Sequence, residues 1–202
     1  MTEKHDLFKK ALHLEYFLIL YNLLEAAASI GFGWRAGSIA LVGFGLDSII
    51  EVTAAGALVW RLKQHGLGNE EHESKAEKMS LRIVGITFFL LAAYILYDSV
   101  DTLWSHQMPQ KSFWGILIAL LSLIVMPYLG FLKRKIARQI ESRALEADAM
   151  ETMICAYLSA IVLIGLGLNT WLGWWWADPA AGLLMAGFIV KEGWETVEES
   201  VE

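Results

Sequence analysis

Apolar residues in this 202-residue chain gather into six blocks of about 20, not into the short periodic stripes of a water-soluble core. A helix rises ~1.5 Å per residue, so a block of that length crosses the ~30 Å of hydrocarbon in a bilayer. The blocks predict an all-α integral membrane protein with six transmembrane helices, over about 12–33, 38–60, 81–104, 113–132, 146–169 and 171–190. They make one transmembrane domain over 1–202. Only a short tail follows Lys191, so no soluble C-terminal domain is expected. Nine Trp suit anchoring at the two membrane–water interfaces.

The first ten residues, MTEKHDLFKK, are polar, and AAAS at 26–29 imitates a signal-peptidase site. The block before that site carries Glu15, Asn22 and Glu25, which no signal core tolerates well, so the first span is expected to stay uncleaved. Lys and Arg set the orientation. The N-terminal tail, the 61–82 and 133–143 loops and the C-terminal tail hold fourteen of the sixteen, against Arg35 and Lys111 on the other side. That asymmetry predicts both termini in the cytoplasm, and a compact chain without a targeting segment suits a prokaryotic plasma membrane. The stretch 61–80 reads as a solvated loop leading into a helical start. Pro127 and Pro179 are expected to kink the fourth and sixth spans.

Several function classes drop out. The net charge of −6 sits mostly in loops and tails, and no basic patch with interleaved aromatics points to nucleic acid. A single cysteine makes no internal disulfide. The GFG and GLG fragments lie within or between spans, so the dinucleotide-loop context is missing. With no Ser–His–Asp or HExxH constellation, no covalent reaction is implied and the chain is not expected to be an enzyme.

The chemistry lies in two of the spans. The second carries Asp47 and Glu51, the fifth Glu151 and Cys155, each pair four residues apart and so on one helical face. Ionisable groups cost roughly 2.5–3.5 kcal/mol each at the centre of a span, so they face a bundle interior and mark cation or proton sites. The two spans run antiparallel, which brings Glu51 and Cys155 to similar depth and lets the pairs interleave around one ion. A lone buried cysteine is often only an apolar filler, and spacing alone leaves its role open. Asp148, nearer the cytoplasmic edge, suits an entrance or supporting group. Glu25 is too deep to be casually wet: proton relay, support of the ion site and pairing with Arg35 all remain open for it. His65 and His72, among Glu70, Glu71 and Glu73, offer a weaker metal-collecting loop, although charge runs between spans are usually just solvated.

Three segments together resemble the cation diffusion facilitator family of divalent-metal efflux transporters. GSIALVGFGLDSIIEV is similar to that family's second helix, SRALEADAMETMICAYLSAIVLIGLGLN to its fifth, and GWWWADPAAGLLMAGFIVKEGWE to its sixth. The resemblance implies that Asp47, Glu51, Glu151 and Cys155 hold the metal, with Glu151 at the usual His and Cys155 at the usual Asp. It also implies a short, membrane-only form and a homodimer held by its helices. The metal would be a transported substrate and not a cofactor. A thiolate favours Zn2+ or Cd2+, whereas the carboxylates favour Mn2+ or Fe2+, with Co2+ between them. Such ligands bind metal only when deprotonated, which makes metal/proton antiport by alternating access, in the efflux direction, the expected mechanism. The alternatives are a proton-coupled carrier of a small organic solute and a membrane scaffold whose acids are structural.

Overall fold

The computed structural model describes residues 2–64, 70–140 and 142–199, with side chains over 6–60, 85–140, 142 and 145–198. Among these residues every regular element is helical: α1 (Thr2–Ala36), α2 (Ile39–Gln64), α3 (Glu70–Trp104), α4 (Phe113–Ile140), α5 (Arg143–Leu172) and α6 (Ala177–Glu199). The chain is thus an all-helical membrane protein with the six helices expected. Five of them are long and apolar enough to cross a bilayer. In α6 the uncharged stretch runs only from Pro179 to Val190, between Asp178 and Lys191.

Several helices outrun their apolar cores. α1 starts in the polar tail, and much of the stretch read as a loop over 61–80 belongs to the ends of α2 and α3. Basic residues carry α4 through to Ile140, so Lys133, Arg134, Lys135 and Arg138 lie on a helix and not in a loop. The turn before α6 is 173–176. There Gly173, at φ 69, caps α5 in the left-handed conformation that glycine adopts without strain. Pro179 falls in the first turn of α6, where a missing N–H has no intrahelical partner to lose, so it starts that helix and does not kink it.

α2 is the hub, packed against α1, α3, α5 and α6. α1 also packs on α4, α4 on α5, and α3 on α6. Close approach of α1 and α2 depends on small residues: a Cβ on Gly45 would lie 2.9 Å from Ser29 Cβ and 3.0 Å from the Ile30 backbone nitrogen. The N-terminal end of α2 is tied to α6. Ser38 Oγ donates to Asp178 Oδ1 at 2.6 Å, and the Ile39 amide donates to Asp178 Oδ2 at 2.9 Å. Ser38 Oγ also accepts from the Leu41 amide at 3.2 Å, as an N-cap does. These bonds fix the depth of α2, and with it the depth of its two acids.

Candidate metal site

The i, i+4 spacing delivers Asp47 and Glu51 to the face of α2 that meets α5, where Cys155 stands. Each of the three offers a ligand atom within 4.8 Å of the others. All are buried, at 4, 5 and 1% exposure, so bulk water does not solvate them. They line a cavity of about 10 Å³, the size of a single water molecule. Phe88, Ile154, Leu158 and Ile189 supply its apolar walls. Two carboxylates and a thiol around a one-atom space can surround a bare divalent cation and leave one coordination position free.

The fourth residue of the expected set, Glu151, lines the same cavity but stands outside the three-ligand cluster. Glu192 of α6 lines it too, and spacing arguments on α2 and α5 had no access to it. A signal existed: Ala181, Met185, Ile189 and Glu192 fall at steps of four, four and three, so Glu192 continues a core-facing stripe.

Two of the supporting residues lie elsewhere. Asp148 is not at an open entrance. It is buried against Lys133, whose Nζ also lies 3.0 Å from Glu15 Oε2 and donates to Thr152 Oγ1 at 3.3 Å. Lys133 is itself fully buried. Its place on the α4 stripe Met126, Leu129, Gly130, Lys133, Ala137 was legible in the sequence, but proximity to other basic residues disguised it as loop charge. Glu25 faces α2, where Ser48 Oγ donates to its Oε2 at 3.1 Å. One turn along α1, Asn22 Nδ2 donates to Glu51 Oε2 at 2.7 Å. His65 lies outside the described residues, and so does the side chain of His72.

Residues 16–202 match the family model of the cation efflux transmembrane domain. The chain belongs to that family. Among curated relatives it is 24% identical over 194 residues to Transmembrane protein 163 of Xenopus laevis, covering 95% of this chain and 67% of that protein. It is 25% identical over 169 residues to an uncharacterized transporter of Synechocystis, covering 82% and 54%. To the cation-efflux pump FieF of Salmonella typhi it is 23% identical over 175 residues, covering 84% and 58%. The chain therefore spans between 54 and 67% of the length of these relatives. The matched region contains all five cavity-lining acids and thiols, from Asp47 to Glu192.

Proposed function

We propose that this chain moves a divalent transition-metal ion out of the cytoplasm, in exchange for protons, by alternating access to the cavity between α2 and α5. The observation that carries the proposal is the convergence of Asp47, Glu51 and Cys155 on a buried space of about 10 Å³. A single ion fits there. An organic solute, whose pockets run to roughly 300 Å³ and more, does not. Membership of the cation efflux family and the likeness to a cation-efflux pump support the substrate class and the direction.

Zn2+ is the preferred cargo in this proposal, with Cd2+ close behind, because a thiolate beside two carboxylates suits borderline and soft ions better than Mn2+ or Fe2+. The carboxyl and thiol groups must lose protons to bind, which couples metal loading to proton release. Glu151 and Glu192 supply negative charge next to the three ligands and complete the coordination in other states of the cycle. The metal is cargo and no covalent reaction takes place. We place the protein in a prokaryotic plasma membrane as a homodimer with both termini in the cytoplasm.

The test is reconstitution with a pH dye inside the vesicles and titration with Zn2+, Cd2+, Mn2+ and Fe2+. Metal-triggered proton flux is expected in the wild type and lost in Asp47→Ala. Equal flux in both removes the site from the mechanism, and silence with every metal removes the function.

A further inference from the structure

A second polar cluster lies behind the cavity, on the side of α2 that faces α1. On α1, Asn22, Glu25 and Ser29 share one face at steps of three and four. Ser48 meets them from α2, and Ser122 stands beside the Glu25 carboxyl from α4. Asn22, Ser29, Ser48 and Ser122 are fully buried, and Glu25 is 4% exposed. Two of their atoms, Asn22 Oδ1 and Ser29 Oγ, have no hydrogen-bond partner among the described residues, whereas the Glu25 carboxyl has the hydroxyls of Ser48, Ser122 and Tyr21 around it. Ser48 has one hydroxyl proton and two acceptors in reach, Glu25 Oε2 and the Phe44 carbonyl, both at 3.1 Å.

An unsatisfied polar group in a membrane interior costs several kcal/mol, so two of them beside a buried carboxyl favour a polar occupant. A divalent transition metal suits them poorly, because Asn22, Ser29 and Ser122 offer only neutral oxygens and amide nitrogen, with no thiolate or imidazole among them. Mixed donors and acceptors of this kind hold water and a mobile proton. The charged and titratable groups facing Glu25 are Asp47 and Glu51 from α2, Cys155 from α5 and Tyr21 on α1 itself. The nearest α4 cation, Lys133, is held by Glu15, ten residues or about 15 Å down α1.

We propose that this seam is a hydrated proton site next to the metal cavity, with Glu25 as the carboxyl that holds the proton. When a divalent ion fills the cavity, its charge favours the anionic form of Glu25. The O–H bond of the carboxyl breaks, the proton passes to a seam water as hydronium, and the carboxylate remains. When the ion leaves, a hydronium returns its proton to the same carboxylate. One proton per ion is thus carried by a residue that does not touch the metal. This inference rests on the metal transport proposed above and assigns part of its proton coupling to α1.

Glu25→Gln keeps the size of the side chain and a carbonyl acceptor for Ser48, but has no titratable proton. In proteoliposomes of the full chain, Zn2+/Zn2+ exchange, which needs no net proton movement, is expected within about threefold of wild type. The number of protons released per Zn2+ bound is expected to fall by about one, and pH-driven Zn2+ transport to be lost. An unchanged proton count overturns the proposal, and so does loss of Zn2+ exchange together with proton release, which would make Glu25 part of the metal site. A wild type that neither binds nor exchanges Zn2+ overturns the transport function itself, without reference to any variant. Hydroxyl-radical labelling of the wild type gives a readout that needs no substitution. Met126, fully buried one turn from Ser122, is labelled if water occupies the seam. An unlabelled Met126 beside labelled surface methionines overturns the hydrated site.

Discussion

Asn22 Nδ2 on α1 donates to Glu51 Oε2 on α2 at 2.7 Å, so a helix outside the three-donor cluster holds one oxygen of a carboxyl within it. Both side chains are buried, and an intramolecular hydrogen bond contributes about 0.5–1.5 kcal/mol net. α1 therefore sets the orientation of Glu51 toward Cys155.

Replacing Asn22 with Ala frees that carboxylate to rotate. Zn2+ affinity is expected to fall by up to about tenfold, the ratio that ~1.4 kcal/mol produces, with the folded fraction retained. Competition with a chelating dye in detergent measures it. Unchanged affinity would show that the bond does not position Glu51.

Cys155 is the one soft donor among the three converging groups. Substitution with Ser keeps the volume and removes the thiolate, so affinity for Cd2+ is expected to fall by about tenfold or more relative to Mn2+. Titration of the two ions on the same preparation gives the ratio. An unchanged ratio would make Cys155 a packing residue.

Lys133 joins α1, α4 and α5 by its contacts with Glu15 and Asp148. Glu15 Oε1 has no hydrogen-bond partner, so this group depends on the lysine charge. Lys133→Met strands two buried carboxylates and is expected to cost about 3–5 kcal/mol. Adding Glu15→Gln and Asp148→Asn should restore most of that loss. Thermal unfolding followed by Trp fluorescence compares the variants, and a fully stable Lys133→Met would show that the three groups are independent.

Asp178 holds Ser38 Oγ and the Ile39 amide at the N-terminus of α2. Asp178→Ala removes both bonds and a negative charge at a helix N-terminus, which together stabilise by about 2 kcal/mol. A lower unfolding temperature and weaker Zn2+ binding are expected together, because α2 also carries Asp47 and Glu51. Loss of stability with unchanged metal affinity would separate the cap from the site.

Much of the architecture was legible because membrane crossing is a local property. Block length gives the helices, and four-residue spacing puts Asp47 with Glu51 and Glu151 with Cys155. The antiparallel depth argument places α2 and α5 side chains at one level, and Asp47, Glu51 and Cys155 do lie together. Legibility ended at helix rotation. Glu192 and Lys133 point inward, although each lies among charged neighbours that suggested an interface or a loop. Asn22 and Glu25 shared a face in the sequence, yet nothing in spacing said that α2 would be the helix they meet.

The sequence by itself determined the helices, the family and which acids share a face, because these follow from periodicity, length and residue order along one chain. Tertiary structure alone decided that the cavity between α2 and α5 holds three close donors, with Glu151 and Glu192 on its wall. It also joined the cavity to the α1 seam through Asn22 and Glu51, and locked Lys133 between two carboxylates. The reason is physical. Which faces meet depends on how closely backbones approach, as at Gly45 against Ser29, and on which buried polar groups find partners across helices.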